Sequence, residues 1–136
     1  MDGDVKRLHQ LRLEGKCCSA VLLQLALELS GEENPGLVQA STGLCLGVHS
    51  GLTCGALTGA ACMLSLFDEK LAATEMIPQL AEWFTTTYGA LYQGADCRSI
   101  LGGRPENKAL RCPSIIESTY LEAREILQEF GFDLVY

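Results

Sequence analysis

The sequence predicts an all-α fold, one compact bundle of five or six helices over residues 1–136. Three observations predict it. Apolar residues recur at intervals of three and four in successive segments, the period of a helix with one buried face. Alternating β-branched runs, the mark of half-buried strands, are missing. Hydrophobic residues make up 48% of the chain and aromatics only 7%, a composition suited to an aliphatic helical core.

Val5, Leu8 and Leu11 mark a short first helix ending at Gly15. A second begins near Cys17 and runs to Leu29, with Val21, Leu22, Leu25 and Leu29 at helical spacing. Leu23 and Leu27 make its other side apolar too, so it belongs in the interior. Ser30-Gly31 stops it, and Asn34-Pro35 can open a short turn as cap and first helical residue. Thr42 to Gly51 reads as a Gly-rich loop, followed by a central helix over about 53–67. Asp68 can cap the next helix, which meets Pro78 in its interior. A proline there lacks a donor and clashes with the preceding turn, so a kink or break is expected. Gly89 is its expected terminator. Asp96 can cap one turn, Cys97 to Leu101, before Gly102-Gly103. The last helix is expected from Cys112-Pro113 to about Phe130, with its stripe on Ile115, Ile116, Tyr120, Ala123, Leu127 and Phe130.

Ten basic against seventeen acidic residues give a net charge of −7. No basic stripe is available for phosphates, so nucleic acid is not an expected partner. Asn34 to Phe67 carries no Asp, Glu, Lys or Arg. Its best apolar run, Leu52 to Phe67, is shorter than the ~20 residues a span needs and holds Thr53, Gly55, Thr58, Gly59 and Ser65. A buried helix explains it better than membrane insertion. The acidic opening Met1-Asp2-Gly3-Asp4 lacks the basic start and apolar core of a secretory signal, which makes a cytoplasmic location the expectation. Structural disulfides are rare in that compartment.

Seven cysteines are the unusual feature. No Cys-x-x-Cys pair exists, which removes the thioredoxin signature, zinc ribbons and the usual ferredoxin spacing. Cys17, Cys54, Cys97 and Cys112 each fall at an expected helix start. Free amides and the partial positive charge there favour thiolate over thiol. Four converging thiolates would repel one another unless a cation sat among them, so a metal or iron–sulfur centre would make the arrangement favourable. Burial as small apolar side chains is the plain alternative, and the favoured one for Cys18, Cys45 and Cys62. A Cys97–Cys112 disulfide is another. His49, five residues before Cys54, reads as a solvent-facing loop histidine rather than a ligand or proton shuttle. Glu117, Glu122, Glu125 and Glu129 with Arg124 read as the solvated face of the last helix. Trp83, Phe84, Tyr88 and Tyr92 read as core or interface.

The hexapeptide Cys54-Gly55-Ala56-Leu57-Thr58-Gly59 resembles the centre of a prokaryotic redox-active protein family named for its Cys…Cys-Gly-Ala-x-x-Gly…Cys…Cys pattern. The family's first cysteine precedes an Ala-Val-containing helix, which Cys17-Cys18-Ser19-Ala20-Val21 matches and which selects Cys17. The last two would be Cys97, before Leu101-Gly102, and Cys112. The resemblance spans about residues 4 to 130 and implies redox activity at cysteines. A related domain arrangement implies a cysteine-ligated iron–sulfur centre, of the 2Fe–2S type, on Cys17, Cys54, Cys97 and Cys112. Gly55 and Gly59, four apart on one helical face, would clear space for the centre or for a neighbouring backbone. The chain departs from the pattern in carrying three extra cysteines. Cys18 beside Cys17 leaves the first ligand ambiguous, and the segment Gly43-Leu44-Cys45-Leu46-Gly47 is poorer in glycine than the resemblance implies, which brings in Cys45 as a substitute ligand.

Three functions follow as expectations. The first is electron transfer or redox sensing through an iron–sulfur cluster, with an unidentified redox partner protein and a homodimer compatible with the sequence. The second is metal-free thiol–disulfide chemistry. The third is a helical binding module with a structural zinc site.

Overall fold

The computed structural model describes residues 3–134, so Met1 and Asp2 of the acidic opening lie outside the described residues. These form seven helices: α1 Gly3–Leu13, α2 Cys18–Ser30, α3 Pro35–Ser41, α4 Gly55–Phe67, α5 over 69–92, α6 Cys97–Leu101 and α7 Asn107–Glu129. No strand occurs among the described residues beyond an isolated bridge between Thr53 and Asp96. The all-α expectation holds, with one helix more than the upper expectation. No helix among the described residues is long and apolar enough to cross a membrane.

Several boundaries were set by the residues named for them. Asn34 caps α3 by accepting from the Leu37 amide at 3.0 Å, with Pro35 at its first position. Asp68 caps α5 through the Leu71 amide at 2.9 Å. Asp96 caps α6 through the Ser99 amide at 3.0 Å, and left-handed Gly102 closes it.

Three boundaries differ from expectation. Before Pro78, α5 widens into a π-turn over Ala72–Met76 and continues as Ile77–Tyr92. The wide turn absorbs the missing proline donor without a break. Gly89 does not end α5; Tyr88 and Tyr92 stack on the last turn with ring centres 6.2 Å apart, and left-handed Gln93 ends it. Helix α7 begins at Asn107, so Cys112 and Pro113 lie inside it. Its first turns are tied to the end of α6: Asn107 Nδ2 donates to the Leu101 carbonyl at 2.8 Å and Arg111 Nη1 to that of Ile100 at 2.5 Å. These bonds outweigh the local proline signal.

The core draws on α1 (Leu8, Leu11), α2 (Val21, Leu22, Leu25), α4 (Ala60, Met63, Leu64), α5 (Met76, Leu80, Phe84) and α7 (Ile115, Tyr120, Leu127). A smaller apolar cluster joins Ala20 and Leu27 of α2 to Val38 of α3. The acidic face of α7 is only partly solvated. Arg124 turns inward to Asp4 at 2.5 Å, and the fully buried Tyr120 hydroxyl donates to the same carboxylate. Burial pushes the Asp4 carboxyl up, but Tyr120 and Arg124 together outweigh it and hold the group below its usual range.

Helices α2 and α4 pack closely at Gly59. A Cβ there would stand 2.7 Å from the Ser19 Cα, against backbone that cannot rotate away. At Gly55 the nearest atoms are the Cys45 Cα and the Leu44 carbonyl oxygen, both at 3.3 Å. Gly59→Ala is therefore expected to lower unfolding free energy by about 1–3 kcal/mol, the overpacking range, and Gly55→Ala by less. Urea melts of both variants beside the parent check the order.

Candidate redox site

Six of the seven cysteines line one cavity of about 250 Å³, together with Thr42, His49 and Lys108. Three local features put them there. Cys17 and Cys18 open α2, Cys17 as its cap. The close α2–α4 packing sets Cys54, the cap of α4, opposite them. The Cys97 amide donates to the Leu52 carbonyl at 2.6 Å, which pins the start of α6 to the segment before Cys54. Cys112 then enters from the second turn of α7.

Cys17 and Cys45 form a disulfide. Helix α3 and the 3₁₀ turn Thr42–Leu44 carry Cys45 back over the start of α2. The two lie 28 residues apart, and in the chain-entropy model a loop of that length contributes about 3–4 kcal/mol. The sequence treated Cys45 as a buried small side chain or a substitute ligand. It is buried, but covalently paired, with Ser19 Oγ 2.9 Å from its sulfur. Spacing alone gives no signal for this pairing.

After Cys45 the chain makes a left-handed turn. Leu46, Gly47, Val48 and His49 have φ between 54° and 61°. For the three residues other than glycine this costs about 1–2 kcal/mol each. Bonds at both ends hold the turn: Leu52 N–H to Gly47 O at 3.0 Å, His49 Nε2 to Thr42 O at 2.8 Å, and Arg98 Nη2 to Ser50 O at 3.0 Å. The segment whose low glycine content stood out in the sequence is the one whose backbone favours glycine. His49 is exposed, as expected for a loop histidine, though it also borders the cavity.

Cys18, Cys54, Cys62, Cys97 and Cys112 are free thiols, so Cys97 and Cys112 are not joined. Cys18 and Cys112 both line the cavity, near enough for each to shift the other's ionisation. Hydrogen bonding from the Cys18 thiol, with help from the Lys108 charge, outweighs burial and brings Cys112 down to about 7. Cys18, which gives up that proton least readily, is pushed well above the ordinary thiol range, first by that bond and then by burial. Burial pushes Cys54 up to about 11, although the nearby Ala56 and Leu57 amides favour its thiolate. Cys97 is raised by burial and by the neighbouring Cys112. Cys62 stands apart, half-buried and two turns further along α4, near Leu23 and Leu37.

The four sequence-selected cysteines thus border one cavity, but only three of them, with Cys18 in place of Cys17, carry free thiols there. Thiolate donors suit an iron–sulfur or zinc centre chemically. Among the described residues no group of three His, Cys, Asp or Glu side chains is found that could hold a metal ion as the thiols now stand.

The geometry defines an all-α domain that gathers cysteines from several helices around one cavity. The family model described as "Putative redox-active protein (C_GCAxxG_C_C)" matches residues 16–126, and the chain belongs to that family. No curated protein and no solved structure matches the chain.

Alkylation of Cys112 by iodoacetamide is expected to follow a titration with a midpoint near 7, slowing as pH falls below it. Lys108→Gln removes a cation that favours the thiolate, so the midpoint moves up. Site-resolved mass spectrometry of the labelled protein across pH 5–9 reads both.

Proposed function

We propose that this chain is a thiol redox protein that moves electron pairs by thiol–disulfide exchange between Cys112 and Cys18. The observation that carries the reading is that these two free thiols, from different helices, line one cavity and shift each other's ionisation. Cys112 is the attacking sulfur, since it is half-exposed and holds its thiolate near neutral pH. Cys18 is the resolving thiol, since it lines the same cavity as Cys112 and holds its proton more firmly. The high pKa of Cys54 and Cys97 keeps them protonated in the same space, where they do not add repelling charge.

A second reading has its own observation. Cys18, Cys54, Cys97 and Cys112 are close enough to perturb one another's ionisation, and the amides at the start of α4 favour the Cys54 thiolate. These four, or Cys17 in place of Cys18 once its disulfide is reduced, would be the residues to hold a 2Fe–2S centre. Such a centre would supply one-electron chemistry tuned by burial and amide bonds. It requires the thiols to draw together from their present positions.

The test is an anaerobic purification followed by iron, acid-labile sulfide and zinc counts, a visible spectrum and a disulfide-reduction assay on one sample. Colourless, metal-free protein that reduces a small disulfide, and loses this on Cys112→Ser, is the expected result. Iron matched by sulfide, with absorbance lost in Cys54→Ala, would replace the first reading by the second. Stoichiometric zinc without turnover would point to a structural site.

A further inference from the structure

A second cleft, of about 370 Å³, opens on the solvent side of Cys18 and Cys112. Its charged lining consists of Arg12, Lys16 and Lys108, with no Asp or Glu. In a chain of net charge −7 with ten basic residues, three cations around one thiol pair run against the overall balance. Arg12 and Lys16 are half-buried, and among the described residues none of the three cations is in an ion pair. Of the acids next to these cations in sequence, Glu14 lies 3.8 Å from Arg7 and Glu106 does not line the cleft. Arg12 donates to His9 Nδ1 at 3.3 Å, and His9 in turn binds Glu117, which leaves Lys16 and Lys108 as the cations without a side-chain partner among the described residues. Pro105, Pro113 and Ile116 give the cleft an apolar wall.

We infer that this cleft is a binding subsite for a low-molecular-weight disulfide bearing carboxylates, held by Arg12, Lys16 and Lys108 with its sulfurs against Cys112. The inference rests on the thiol–disulfide reading and names its substrate class. An anionic substrate gains from cations in a partly desolvated cleft, where charge is screened less than on open surface. The apolar wall receives the methylene groups beside the disulfide. The Cys112 thiolate attacks one sulfur of R–S–S–R; the S–S bond breaks, R–S⁻ leaves, and a Cys112–S–S–R mixed disulfide forms. Cys18 then loses its proton and attacks the Cys112 sulfur, expelling the second R–S⁻. One substrate disulfide is reduced to two thiols, and two protein thiols are oxidised to a Cys18–Cys112 disulfide. The protons of both protein thiols pass to solvent and the released thiolates.

The experiment mixes reduced, desalted protein anaerobically with three probes: dianionic dithiodiacetate, neutral bis(2-hydroxyethyl) disulfide and dicationic cystamine. Each rate is divided by that of a free small-molecule thiol, which removes the intrinsic reactivity of the probe. At low salt the dianion is expected to outrun the dication by about tenfold or more, the opposite of what net charge dictates. Raising salt compresses the ratio, and Lys16→Glu collapses or inverts it. Equal rates, a faster dication, or a ratio untouched by Lys16→Glu, with the neutral probe still reacting, overturns the subsite and leaves the thiol reading standing. Failure of all three probes overturns the thiol reading and this inference with it.

Discussion

The absence of a side chain at Gly59 is the constraint on which the site depends. It lets α4 settle against the Ser19 backbone, so the beginnings of α2 and α4 lie side by side. Every other part of the cavity is hung on that pair. Cys17 and Cys18 face the start of α4, and Gly55 admits the returning chain at Cys45. The segment leading into Cys54 then offers the Leu52 carbonyl that fixes α6. A β-carbon at position 59 would push apart the two helix ends that present the thiols, so packing and chemistry are set by one residue.

Around this frame the cavity combines opposed local preferences. The left-handed turn from Leu46 to His49 is unfavourable in isolation and persists because the disulfide, the Thr42 and Gly47 carbonyls and the Arg98 guanidinium hold its ends. Burial raises most of the thiols, whereas Cys112, beside Lys108 and bonded by Cys18, goes the other way. In the proposed exchange, neighbouring groups whose ionisation is pushed apart divide the work, one sulfur attacking and the other resolving. That separation comes from position, since all are cysteines.

Most of the fold was legible because helical period and capping are local. Asn34, Asp68 and Asp96 cap the helices they precede, and the stripe on the last helix faces the core as spaced. Pro113 misled because a proline signal is local too, while the start of α7 is decided by side-chain bonds from Asn107 and Arg111 to α6. The site was half legible. The family pattern led to Cys54, Cys97 and Cys112, which do border one cavity, and to Gly55 and Gly59, which do permit close approach. It also selected Cys17 over Cys18, whereas Cys17 is paired with Cys45 and Cys18 keeps the free thiol. Adjacent residues at a helix start point in different directions, and which one meets Cys45 depends on where α3 returns the chain. The basic cleft was hidden as well, because Arg12, Lys16 and Lys108 are scattered in sequence and meet only after α1 and α7 pack.

The central claim, that Cys18 and Cys112 form the working pair, is tested most directly by mapping disulfides across redox poise. The protein is equilibrated anaerobically in thiol–disulfide buffers, quenched by alkylation, digested and read by mass spectrometry. The account predicts that a Cys18–Cys112 link forms in one two-electron transition, about 30 mV per tenfold change in ratio, with Cys62 alkylated throughout. A titration in which Cys18 and Cys112 never join, while another pair carries the transition, would contradict it.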